Sequence, residues 1–149
     1  MKINTQERTI DYQGEDQLTL IKAEYGGELI LKQKTELITL SGGAGTYTAT
    51  AFIPAGTILL ALEGYVETIL AGASLNTWDL GDGSDDDRFA AAKALIVGTT
   101  FGIADATGTK YPMVCTAAQD LVFTANAGVI SSGAVRIAAY YLELASLIG

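Results

Sequence analysis

The sequence predicts an all-β fold, an antiparallel β-sandwich of jelly-roll type with a short N-terminal arm. Three observations carry that expectation. Runs rich in branched, aromatic and threonine residues recur along the chain, separated by glycine, asparagine and aspartate turns. Their spacing of about 8–12 residues is that of sandwiches and barrels. No long stretch shows the period of an amphipathic helix. The 149 residues are 49% hydrophobic and 17% charged with 17 glycines. That composition suits a compact, turn-rich domain able to bury roughly 70% of the surface of its unfolded chain.

The chain divides into an arm, residues 1–25, and a sandwich domain, residues 26–149. The arm carries Glu7, Arg8, Asp11, Glu15 and Asp16 with few apolar anchors, and has no strong strand before Leu18. It reads either as a frayed terminus or as a segment that orders on a partner. In "QLTLIKA", Leu18 and Leu20 alternate with Thr19 and Ile21, and the turn "EYGGE" follows. Next come the strands "LILKQ" and "TELITL", the loop "SGGAG" and the threonine-rich strand "TYTATAF".

Pro54 and Gly56 interrupt the pattern and start "TILLALEGYVETIL", fourteen residues with the strongest β signal in the chain. Strict alternation puts Ile58, Leu60, Leu62 and Val66 on one face. Leu59, Ala61, Glu63, Tyr65 and Glu67 fall on the other, and Gly64 suggests a bulge or bend. In "RFAAAKALIVG" the helix formers Ala91 to Leu95 leave a short helical turn as open as a strand. The tail "AVRIAAYYLELASLI" reads as a long closing strand buried on both sides, with Val135, Ile137, Ala139 and Tyr141 opposite Arg136, Ala138, Tyr140 and Leu142.

The chain has no histidine. Ser-His-Asp and Cys-His nucleophile systems and the usual imidazole zinc site therefore have no material. No nucleophile stands beside a base, so neither an enzyme nor a cofactor is expected. Cys115 is the single cysteine, which precludes an intrachain disulfide, and in "YPMVCTAAQ" it reads as a small buried hydrophobe. A net charge of -8 with scattered cations argues against nucleic-acid or membrane partners. No run of 18 apolar residues exists and the start lacks the apolar centre of a signal peptide, so synthesis in the cytoplasm is expected.

The densest polar feature is "DLGDGSDDDRF", Asp79 to Phe89, with five aspartates and one arginine. An EF-hand loop begun at Asp79 fails, because Gly81 and Gly83 take the third and fifth ligand positions and Ala90 the twelfth. Adjacent acids in a glycine-rich turn are also badly placed to flank a glycosidic bond. Two readings stay open. One is a solvated turn in which Ser84 and Asp85 cap backbone N–H groups and Arg88 pairs with an acid. The other is a looser cation site built from Asp82, Asp85 and Asp87. Among the aromatics, Tyr47, Trp78 and Tyr111 are the candidates for stacking on sugar rings.

Between "FIPAGTILLALEGYVETILAGASLNTWDLGDGSDDDRFA" and "GAVRIAAYYLEL", residues 52–144, the order of motifs resembles tailed-phage virion proteins. An "IPAG" turn leads into a long strand, a "GAS" turn, a short strand ending in "GDGSDDDRF" and a closing "GAVRIAAYYL" strand. The pattern is similar to the terminal β-sandwich domain of phage head fibres, tail fibres and gene-transfer-agent head spikes. The resemblance implies a pair of strands in "TGTKYPMVCTAAQDLVFTANAG" with a turn at Asn126–Gly128, and makes the aspartate-rich loop a structural junction.

Only about 25 residues precede the first clear strand, which favours a capsid decoration (cement) protein over a fibre. The resemblance then implies a homotrimer on the outer capsid surface of the virion, made in the host cytoplasm and bound to the major capsid protein. Trimer contacts would bury the surplus apolar faces, and the arm would reach a capsid sheet edge or groove. Ile3, Ile10, Leu18 and Leu20 are the expected capsid or protomer contacts. The alternative is a head-fibre or tail-fibre tip that binds a host receptor or surface polysaccharide.

Overall fold

The computed structural model describes residues 18–22, 28–105 and 111–144. Ten strands follow one another: β1 Leu18–Lys22, β2 Glu28–Thr39, β3 Thr46–Ile53, β4 Thr57–Ala71, β5 Trp78–Gly81, β6 Ala90–Lys93, β7 Thr100–Phe101, β8 Met113–Cys115, β9 Gln119–Ala125 and β10 Ser132–Leu144. Among the described residues, one 3-10 turn, Ile103–Asp105, follows β7.

The larger sheet runs β1-β2-β10-β4-β7, with β8 also paired to β4, and the smaller runs β3-β9-β5-β6. Every ladder is antiparallel. With β1 and β8 set aside, each sheet has four strands, and only β5 and β6 are both neighbours in sequence and partners in one sheet. That alternation between layers, with β2 beside β10, is the jelly-roll order of a sandwich, as the sequence predicts. β1 falls within the stretch read as an arm and pairs with the start of β2; the remainder of that stretch lies outside the described residues.

The core fills the space between the two inner faces. Trp78 and Phe123 from the smaller sheet meet Phe101 from the larger, with Trp78 edge-on to Phe101 at 5.8 Å between ring centroids and tilted on Phe123 at 5.7 Å. Leu62, Val66, Val135 and Ile137 complete the contact from the larger sheet. Cys115 is buried with them, as expected, and burial pushes its thiol above the ordinary value. At the open side of the sandwich Lys34 lies over the Phe52 ring, 4.2 Å from its centroid, and donates to the Phe52 carbonyl. Its ammonium thus makes a cation–π contact with that ring.

Three local expectations are corrected and one open choice is settled. The pairing of β4 with β10 slips by one residue between Tyr140 and Tyr141, so that Leu60 is the extra residue of a bulge. Below it the alternation is inverted. Leu59 enters the core and Ile58 moves to the outer face, the reverse of the strict pattern. Gly64 is not a bulge; it sits in register with Ile137 and Phe101. Residues 90–93 form strand β6, because pairing of Trp78 with Lys93 and Leu80 with Ala90 outweighs the small helix preference of alanine. Finally, β10 is buried on one face alone: Val135, Ile137, Ala139 and Tyr141 face the core, while Arg136, Ala138, Tyr140 and Leu142 are half-exposed. The two strands expected around Cys115 and Phe123 do form, but β8 joins the larger sheet and β9 the smaller.

Candidate interaction surfaces

The aspartate-rich loop separates into two parts with different work. Asp79, on β5, is buried, and its Oδ1 accepts from the Ala92 backbone N–H at 2.6 Å and from Asn126 Nδ2 at 2.8 Å. Asn126 also donates to Thr77 Oγ1 at 3.0 Å. One carboxylate thus ties β5 to β6 and to the turn between β9 and β10. Ala92 adopts a left-handed φ of 49°, a conformation costly for alanine that accompanies this bond.

Asp82 organises the turn itself. Its Oδ1 accepts from Ser84 N at 3.1 Å, Ser84 Oγ at 2.8 Å and Asp85 N at 3.1 Å, while Arg88 Nε stands 2.7 Å from its Oδ2. Gly81 lets the loop fold this tightly, since a Cβ there would lie 1.9 Å from the Asp85 carbonyl oxygen. Burial works to raise the Asp82 pKa, but the Ser84 and Asp85 donors and the Arg88 charge outweigh it and hold the carboxyl below its ordinary 3.8. A depressed folded pKa contributes stability above the unfolded value, lost as pH falls through the folded one. Asp82→Asn is therefore expected to flatten the acid limb of the stability profile below about pH 4, read by thermal melts across pH. An unchanged limb would contradict the pairing.

The three acids brought within 4.8 Å of one another are Asp85, Asp86 and Asp87. Of the proposed cation ligands, Asp85 and Asp87 belong to this group, and Asp82 is engaged by Arg88 and the turn backbone. Of the turn reading, the pairing of Arg88 with an acid is present, but the cap is Asp82, which accepts from Ser84 and Asp85, and not Ser84 or Asp85.

The stacking aromatics fare differently. Trp78 is wholly buried, its Nε1 donating to the Ala94 carbonyl at 2.9 Å, so it offers no face to a sugar. Pairing of β5 between β6 and β9 turns the indole inward. Tyr111 stacks on Phe89, and burial pushes its hydroxyl up to about 12. Tyr47 packs edge-on against Phe123.

The surface that alternation alone did not reveal is the outer face of the larger sheet. One half carries polar groups bonded to one another, with Leu37 and Tyr65 exposed on either side of Arg136. Arg136 pairs with both oxygens of Glu67, and Tyr140 donates to Glu63 Oε1 at 2.7 Å while accepting from Gln33 at 3.4 Å. The bond from Arg136 lowers the Glu67 pKa, and the bond to Glu63 raises that of Tyr140.

The other half is apolar. Leu31 stands opposite Leu142, Leu142 opposite Ile58, and Ile58 opposite Val114, one row across β2, β10, β4 and β8. Leu18 occupies the next register position, on β1 opposite Leu31. Val114 is 70% exposed. The Leu60 bulge creates this row by turning Ile58 outward. Of the expected contact residues, Leu18 and Leu20 lie on β1, Leu20 at its register shift, and Ile3 and Ile10 lie outside the described residues.

No protein-family model matches the chain, and no curated protein matches it. Among solved structures, a chain described as "Cyanophage Pam1 capsid asymmetric unit" aligns with a TM-score of 0.57 and 18% identity. The alignment covers 85% of this chain and 92% of that one. At this identity the likeness is one of fold, and the coverage makes the two chains similar in length.

Proposed function

We propose that this protein is a structural component of a phage virion, a decoration protein that sits as a trimer on the outer face of the capsid. It binds the major capsid protein and stabilises the shell without chemistry. The observation that carries the reading is the jelly roll shared, over nearly its whole length, with a chain of a cyanophage capsid asymmetric unit. The motif order over residues 52–144 supports it independently, since those residues supply β4 to β10. Many copies of a small domain bound to the assembled shell but not to its dissociated subunits stabilise the shell by mass action.

The test is co-sedimentation with undecorated shells of the matching capsid protein. Saturable binding at a fixed number of copies per capsomer is expected. Absence of binding, with retention on host cells or surface polysaccharide instead, would replace decoration by the fibre-tip reading. Removal of residues 1–16, which precede β1, is expected to lower the bound copies if the arm contributes contacts.

A further inference from the structure

We propose that this protein docks on the capsid shell through one end of the sandwich, formed by the β2–β3, β4–β5, β6–β7 and β9–β10 loops, with Ile69, Ile96 and Val97 as the contacts that become buried. The inference rests on the decoration reading above and names a surface on the sandwich itself, where the sequence pointed to the arm.

The ladders bring these four loops together. Thr39 pairs with Ala134, Ser132 with Ala71, Thr46 with Thr124, and Trp78 with both Ala125 and Lys93, so residues 40–45, 72–77, 94–99 and 126–131 share one end of the fold. None of those loop residues is charged, in a chain that is 17% charged. The opposite end holds the β5–β6 loop with Asp82, Asp85, Asp86 and Asp87. A chain of net charge -8 thus carries its densest charge away from an end whose loops have none.

The uncharged end is also apolar at a turn. The β6–β7 loop turns at Ile96–Thr99, closed by a bond from Thr99 N to the Ile96 carbonyl at 3.2 Å, with Gly98 at a φ of 85°. Val66 N donates to the Thr99 carbonyl and Leu70 N to the Leu95 carbonyl, which lays this turn alongside Ile69. Ile69, Ile96 and Val97 are 53%, 63% and 61% exposed. Turns favour glycine, asparagine, aspartate and serine, so local structure gives no reason for two exposed β-branched hydrophobes at the tip.

The loops are tied to one another before any partner arrives. Gly43 N donates to the Ile130 carbonyl, Ile130 N to the Ala44 carbonyl and Val129 N to the Ala73 carbonyl. A Cβ on Gly72 would lie 1.7 Å from the Val129 carbonyl oxygen, and one on Gly128 would lie 1.9 Å from that of Ala73. A surface held by its own backbone bonds loses little freedom on binding.

Charge and area select the occupant. Interface centres are depleted of charged residues, and contact through this end leaves the aspartates of the far loop in water. Ile69, Ile96 and Val97 leave at most about 300 Å² of apolar surface exposed, well short of the roughly 800 Å² that each partner buries in a stable complex. That is too little to hold a second copy in solution. A lattice that repeats the site lets joined copies engage together, which multiplies a weak contact. The occupant is therefore an uncharged, apolar site repeated on the outer face of the assembled capsid protein.

The experiment is co-sedimentation of undecorated shells with the full chain, with Ile96→Lys, with Val97→Asp, and with Asp85→Asn combined with Asp86→Asn at the far end. Thermal melts matching that of the full chain show that each variant is folded. The expected result is that Ile96→Lys and Val97→Asp, opposite in charge, each raise the half-saturating concentration about tenfold, the effect of losing a central contact. The asparagine pair should bind as the full chain does, and binding should not weaken as salt rises, since no ion pair is screened.

Binding that is indifferent to both end variants overturns the proposal, as does binding lost in the asparagine pair or in high salt. The two readings fail differently. A full chain that binds shells along with every variant removes this surface and keeps decoration; a full chain that binds no shells removes decoration and this surface with it.

Discussion

Replacing Gly64 with alanine is expected to destabilise the protein by about 3 kcal/mol, the upper end of what overpacking a filled core costs. Gly64 lies at the middle of β4, paired to Ile137 on one side and Phe101 on the other. A Cβ there would meet the Arg136 carbonyl oxygen at 2.3 Å and the Phe101 ring at 2.7 Å. The ring is buried and already packed against Trp78, which limits its retreat. The carbonyl belongs to β10, the strand between β2 and β4, and moving it would break two ladders.

A thermal melt should show Tm falling by roughly 10 °C, given about 2–4 °C per kcal/mol at this chain length. Gly102→Ala is the control, since its nearest neighbour would be the Glu63 Cβ at 3.9 Å, an ordinary contact. That change is expected to stay within about 0.5 kcal/mol. Equal effects of the two substitutions would contradict the packing of Phe101 over Gly64.

Asp79→Ala is expected to cost about 3 kcal/mol for a different reason. It removes the acceptor from the Ala92 N–H and from the Asn126 side chain, and a buried donor left unpaired costs about 1–3 kcal/mol. Asp79→Asn keeps one acceptor oxygen and should lose about half as much. Chemical denaturation at neutral pH measures both. Because Asn126 retains Thr77 as a partner, the pair Asp79→Ala and Asn126→Ala should be clearly non-additive. Additive losses would mean that the carboxylate and the amide act on separate parts of the fold.

These two positions show what the sequence makes legible and what it hides. The alternation of "TILLALEGYVETIL" and "AVRIAAYYLEL" is local, so strands β4 and β10 and the sandwich class are readable from composition and period. The Leu60 bulge is not local. It exists only in the register between β4 and β10, strands more than 60 residues apart, and it decides which of Ile58 and Leu59 is core. The same is true of Trp78, a candidate stacking aromatic until β9 pairs beside β5 and turns it inward.

In the aspartate loop five identical side chains stand within nine residues. Their roles diverge because Asp79 finds Asn126, 47 positions away, and Asp82 finds Arg88 and its own turn, while Asp85, Asp86 and Asp87 cluster together. Gly64 was conspicuous as a glycine in a strand, one of two signals such a residue gives; the close approach of Phe101 and the β10 carbonyl, and not a bulge, is its reason. The outer apolar row needed both the bulge and the attachment of β8 to β4 before it became a surface.

The central claim is that this jelly roll decorates a capsid. The most direct test is an electron cryo-microscopy reconstruction of matching shells incubated with excess protein. The account predicts added density at regular lattice positions on the outer surface, three-fold symmetric, into which three copies of the sandwich fit. Shells indistinguishable from the undecorated ones at saturating protein would contradict it.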